Sequence, residues 1–339
     1  MHRFDRETEF IKTAAIVALL VSVGMPPAGV RAQAGPTIYS YEEAGTDDWG
    51  RLPPGRAWGA PAGVEMDPDR ETLWVLERCG DYSGPGCAES DVPAILKFDS
   101  SGRLLASFGA GMFIFPHGFA VDHDSNVYVT DGRGEDGKGH QVFKFSPDGE
   151  LLMTLGQAGV PGEGHDTLNS PSDVAIAENG DIFVADGHSG METNMRIVKF
   201  SEDGRFIKEW GKKGSALGDL DGAHGLAFDS RGRLFVADRG NSRIQIFDQD
   251  GNFIDSWTQF GAPSGLFISP DDTLYVADMA EGIRFGSARD GSVAGHLQPG
   301  SAETGEGVRV AETVAVDAHG NMYAGENVAM KLMRFVIPR

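Results

Sequence analysis

The 339-residue chain carries 50 acidic against 29 basic residues, a formal net charge of −21. Such a balance excludes nucleic acid as a partner, because that binding needs a basic surface to displace counterions. Forty-seven glycines, 17 prolines and only two cysteines suit short strands joined by tight turns, and the Gly-rich strand–turn–helix unit of a dinucleotide enzyme is missing.

In chain order, the first element is an address. Arg3, Arg6 and Lys12 precede an apolar run from Thr13 to about Met25, followed by Ala32-Gln33-Ala34. This layout predicts a secretory signal peptide over 1–34, its apolar run too short to cross a bilayer. Acidic residues Asp5, Glu7 and Glu9 in the same stretch leave an uncleaved anchor open. Cleavage after Ala34 leaves about 305 residues, read as one all-β domain over 35–339. That product is expected to be periplasmic or secreted, free of membrane, and monomeric. In an oxidising compartment Cys79 and Cys87 are expected to form a disulfide closing one Gly- and Pro-containing loop.

Six segments then repeat one pattern: a small or Pro-led opening, an apolar strand, a turn, a second strand and an acidic residue. They run Pro61 to Glu77, Pro116 to Asp131, Pro171 to Asp186, Ala223 to Asp238, Pro263 to Asp278 and Ala311 to Glu326. Counted from the second residue of each opening (Ala62, His117, Ser172, His224, Ser264, Glu312), the acidic residue falls 14 positions on in five repeats and 15 in the first. Most repeats continue into a third strand, an Asp-Gly-type turn and a fourth strand. Four antiparallel strands per unit, six times over, predict a six-bladed β-propeller. The last unit stops after its third strand, so the stretch Thr37 to Glu43 is expected to supply the missing outer strand and close the ring. The recurring aspartates read as turn-capping residues. The run Leu234 to Phe247 resembles the NHL family, which implies this fold.

In a propeller the innermost strands line the channel, so equivalent residues of successive blades form rings. One ring reads Ala62, His117, Ser172, His224, Ser264, Glu312. Alternate blades lie about 120° apart under six-fold pseudosymmetry, so His117, His224 and Glu312 are expected to meet on the axis. Two imidazoles and a carboxylate with open positions suit catalytic Zn2+, or Fe2+. Either histidine alone also fits a turn residue, and Glu312 a solvated rim residue. In the next ring Arg78 and Arg239 face each other across the axis, where guanidinium forks suit a substrate carboxylate; ion pairs with Asp131, Asp186 or Asp278 are their other reading. The loop Gly187 to Asn194 brings His188 to the same face as a candidate general base. His140, His165 and Tyr82 are weaker candidates for a lid.

Val64 to Arg78, Pro116-His117-Gly118, and Ala223-His224-Gly225 through Ala237-Asp238-Arg239 resemble peptidyl-α-hydroxyglycine α-amidating lyases. The resemblance implies a six-bladed propeller that cleaves a hydroxyglycine-extended peptide to a peptide amide and glyoxylate. It implies a catalytic zinc held by three histidines, a structural calcium in the channel, two arginines and a tyrosine. Carried over, His117 and His224 are zinc ligands, Arg78 and Arg239 the arginines, and Val64 and Phe119 the carbonyl donors to calcium. The sequence departs at three places: Glu312 replaces the third histidine, Thr313 the calcium aspartate, and His188 the tyrosine. A metal-dependent lyase acting on a small or peptide-terminal carboxylate substrate is therefore expected. A propeller lactonase or hydrolase, and a non-catalytic NHL binding module, are the alternatives.

Overall fold

The computed structural model describes residues 37–38, 42–43, 49–81, 86–190, 193–278, 281–297 and 311–336. The expected leader and Tyr82 lie outside these residues. The first five repeats each form a four-stranded antiparallel blade, and the sixth contributes three strands of its blade. In blade two, for example, the strands are Pro116–Val121, Val127–Glu135, Lys138–Phe145 and Leu151–Leu155. The six innermost strands touch in cyclic order, Ala311–Val316 of blade six returning to Pro61–Met66 of blade one. That is the six-bladed propeller expected from the repeats.

Burial explains the sequence pattern of each strand. Second strands such as Leu73–Glu77, Ile182–Asp186 and Leu234–Asp238 are buried at every position, because both faces are covered by neighbouring blades. Outer strands such as Phe206–Trp210 alternate between half-buried and exposed, with one face in solvent. Each of the six blade interfaces holds its own apolar cluster. Blades three and four, for instance, join through Phe183, Ile197, Leu226, Val236 and Phe247. Stability is thus spread around the ring.

Closure follows the expectation in part. Glu42–Glu43 pairs antiparallel with Val336 and Phe335, supplying the fourth strand of blade six. Thr37–Ile38, expected in the same strand, instead runs parallel along Gly295 and His296 as a fifth strand of blade five. Two short strands thus cover the outer edges of both last blades. Cys79 and Cys87 form the expected disulfide. Among the described residues no helix is long and apolar enough to cross a membrane.

Candidate metal centre

The pairing of first and second strands slips by one residue at the same place in all six blades, between Pro116 and Phe119 in blade two and between Ala223 and Leu226 in blade four. A bulge of this kind turns its extra residue out of the pleat. The bulged residues are the ring read from the sequence, so the bulge aims His117, His224 and Glu312 at the axis. The glycine after each histidine has a separate task. A Cβ on Gly118 would lie 2.5 Å from the Ser172 carbonyl oxygen, and one on Gly225 2.7 Å from that of Ser264. Only glycine lets the next blade come this close.

That approach fixes the imidazoles. The Nδ1 of His117 lies 2.7 Å from the Ser172 carbonyl oxygen, and that of His224 3.1 Å from the Ser264 carbonyl oxygen. A carbonyl only accepts, so each Nδ1 carries the proton and donates it. Each Nε2 is left with a lone pair facing the channel, as in metal-binding histidines oriented by an outer hydrogen bond. The Nε2 of His224 is buried with no hydrogen bond. Glu312 closes the third side, its Oε1 3.7 Å from Nε2 of His117 and 3.4 Å from Nε2 of His224. These groups line one small cavity of about 30 Å³.

His188 joins the same cluster. Gly187 has φ 137°, and a Cβ there would overlap the Asn194 carbonyl oxygen, so only glycine allows the chain to leave blade three at this angle. The His188 ring centroid lies 5.2 Å from that of His117 and 5.1 Å from that of His224, which are 4.7 Å apart. Its Nδ1 donates to the Ser189 carbonyl at 2.9 Å, and its Nε2 accepts from Arg239 at 3.2 Å. Ligand atoms of His117, His188 and His224 all lie within 4.8 Å of one another. Its place in the loop gave His188 the part of a base; it can serve as a third imidazole ligand, in place of the one lost to Glu312, only where its Nε2 exchanges Arg239 for the ion.

Burial pushes the pKa of His117 and of His224 well below the ordinary imidazole value. Burial, followed by the charges of Arg239, Arg78 and Arg133, brings His188 down to about 4. All three are therefore neutral at pH 7, the state a metal ion requires.

Both predicted arginines stand beside the cluster. Arg78 is buried, donates from Nε to the Pro116 carbonyl at 3.3 Å, and sets its guanidinium 4.1 Å from the Phe115 ring centre. Arg239 donates to the Ser189 hydroxyl at 2.8 Å and to the Ser264 hydroxyl at 3.4 Å. The aspartates weighed as their partners are engaged elsewhere. Asp131 accepts the Ile114 and Phe115 N–H groups; Asp186 accepts Asn169 N–H and pairs with Arg196; Asp278 accepts Ala262 N–H and pairs with Arg284. Each ties the entry loop of its blade to the end of the second strand, the capping role read from the repeat.

The residues that the resemblance implies as carbonyl donors to calcium join neighbouring blades through their N–H groups. The Thr313 hydroxyl accepts the Val64 N–H at 3.1 Å, and Phe119 donates its N–H to Asp173 at 3.2 Å. The other oxygen of Asp173 accepts Leu226 N–H at 2.7 Å. Burial raises the Asp173 carboxyl to about 7, and burial with the Asp173 charge raises its neighbour Glu65. These two carboxyl groups went unread in the sequence, as did Phe115 and the serine carbonyls. The glycines after His117 and His224 were the available sign of the last. Away from the cluster, His140 accepts Ser170 N–H and His165 stacks on Phe206.

The fold is a six-bladed β-propeller, and the NHL repeat model matches it over residues 168–200 and 220–247. Over about half its length the chain is homologous to amidating enzymes. It is 38% identical over 204 residues to peptidyl-glycine alpha-amidating monooxygenase A of Xenopus laevis, covering 54% of this chain and 21% of that protein. It is 40% identical over 134 residues to peptidyl-alpha-hydroxyglycine alpha-amidating lyase 1 of Drosophila melanogaster, covering 39% of this chain and 22% of the relative. The chain thus spans about a fifth of the length of these relatives. A gluconolactonase from Xanthomonas campestris superposes with TM-score 0.59 at 16% identity, over 90% of this chain and 98% of the other, which concerns the fold alone.

Proposed function

We propose that the chain is an exported, metal-dependent lyase that cleaves an α-hydroxyglycine-type carbinolamide into an amide and glyoxylate. The observation carrying this reading is the trio His117, His188 and His224. Each is a neutral imidazole with an Nδ1–H bond to a serine carbonyl; His117 and His224 line one cavity, and His188 stands beside them with its Nε2 on Arg239. The homology to amidating lyases supplies the substrate class, and the disulfide fits an oxidising compartment.

In this reading the three imidazoles would hold Zn2+ or Fe2+. When bound, the ion acts as a Lewis acid toward the substrate hydroxyl oxygen. Arg78 and Arg239 grip the substrate carboxylate, Arg239 braced by the Ser189 and Ser264 hydroxyls. Glu312, facing both Nε2 atoms, takes the hydroxyl proton. As the carbon–oxygen double bond of glyoxylate forms, the carbon–nitrogen bond breaks and the amide nitrogen receives that proton.

Glyoxylate release from N-acetyl-α-hydroxyglycine tests the reading. The wild-type protein should show metal-dependent turnover, and His117→Ala should lower kcat/KM by at least about a hundredfold, the scale of removing one strong transition-state interaction. Undiminished turnover in His117→Ala would remove the metal site from catalysis. Ring-opening of simple lactones without glyoxylate release would favour a hydrolase.

A further inference from the structure

Blade two departs from the other five at one place. Its second strand runs on past Asp131 to Glu135, and its third begins at Lys138. In blades three, four and five the second strand ends at the acidic residue, Asp186, Asp238 and Asp278. The extra arm is turned by Asp136 and Gly137, both at positive φ (50° and 79°), a backbone suited to a two-residue hairpin loop. Because Pro116 pairs with Asp131, the arm rises from the face on which His117 stands. It is fixed next to its turn: Lys138 donates to the Gly111 carbonyl at 3.0 Å, and Gly159 N–H to the Gly139 carbonyl at 3.0 Å.

The arm carries Arg133. Its guanidinium lies 4.0 Å from the Phe115 ring centre, the same ring that carries Arg78 at 4.1 Å. Phe115 is in turn 5.7 Å from the His117 ring. The three arginines around the cluster form a depth series. Arg78 is buried, Arg239 half-buried and Arg133 exposed at the rim. Stacking on a buried ring holds the outermost cation in one place, which lowers the entropic cost of using it.

Building on the lyase reading above, we infer that Arg133 is a specificity-determining residue that recognises a second anionic group on the substrate. With Arg78 and Arg239 holding the reacting carboxylate, a charge on the acyl or peptidyl portion leaving toward solvent meets Arg133. The favoured substrates are then dianionic: an α-hydroxyglycine unit whose preceding group bears a carboxylate.

Two probes differing by that one charge test this, N-acetyl- and N-succinyl-α-hydroxyglycine. Wild-type protein should favour the succinyl probe about tenfold in kcat/KM, about 1.4 kcal/mol. Arg133→Gln should erase that preference through KM for the succinyl probe, and Arg133→Lys should restore part of it. The preference should also shrink with added salt. Equal use of both probes by the wild type, or an undiminished preference in Arg133→Gln, overturns the inference. If neither probe releases glyoxylate, the lyase reading falls, and calorimetry decides on Arg133 alone. Wild type should then bind succinate more tightly than propionate and Arg133→Gln should not; equal binding of the two acids by wild type also overturns it.

Discussion

Gly118 shows how much one missing side chain can arrange. Its Cβ would enter the space of the Ser172 carbonyl, and that carbonyl sets the tautomer and aim of His117. Gly118→Ala must push two inner strands apart. It should cost about 2–3 kcal/mol as an overpacked site and weaken zinc affinity, both read by urea unfolding and competitive metal titration. Wild-type values in both would show that the spacing is set elsewhere. His188 gives a prediction with a sign. Its folded pKa, about 4, lies below the ordinary 6.5, so between those values the unfolded chain takes a proton that the folded one refuses. Metal-free protein therefore loses stability as pH falls through this window, by about 3 kcal/mol for this group. His188→Gln lacks that loss. The unfolding free energy of the variant relative to wild type should rise by that amount from pH 7 to pH 4; a flat difference would contradict the buried, neutral imidazole. His117, His224 and Glu312 were legible because they share one repeat position. His188, Phe115 and Arg133 sit outside the repeat register, and no periodicity could assign their contacts.

At the scale of elements, the repeated acidic residue does the work of a joint. Asp186 accepts Asn169 N–H from the entry loop and pairs with Arg196 at 2.9 Å, both side chains buried. Asp186→Ala would leave a buried guanidinium without this partner, and we expect a loss of about 3–5 kcal/mol in denaturant unfolding. A loss below about 1 kcal/mol would mean that Glu209, also bonded to Arg196, suffices. The strands themselves were legible: β-rich runs, Asp-Gly turns and a constant interval locate every blade. The bulge in each inner strand was not, because the extra residue has no signature of its own until the pairing partners are known. The arm of blade two was hidden similarly, its Gly-rich sequence reading as a loop rather than a strand extension.

For the whole molecule, ring closure is what converts sequence distance into a site. Residues as far apart as His117 and Glu312 meet because the sixth inner strand returns to the first. The ion proposed for blades two, three and four would add a cross-tie near the axis, and binding to the folded state alone would raise stability by mass action, by about 4 kcal/mol at a thousandfold excess over Kd. The closing segment was half legible: the need for an outer strand followed from the truncated last repeat, whereas the parallel addition of Thr37–Ile38 to blade five had no sequence signal. The most direct measurement is the metal content of the purified protein after zinc loading and buffer exchange, alongside His188→Ala and His224→Ala. Three imidazoles forming one centre give one ion per wild-type chain and a lost or sharply weakened ion in both variants. A wild-type chain that retains no ion, or a His224→Ala variant that retains it undiminished, would contradict the account.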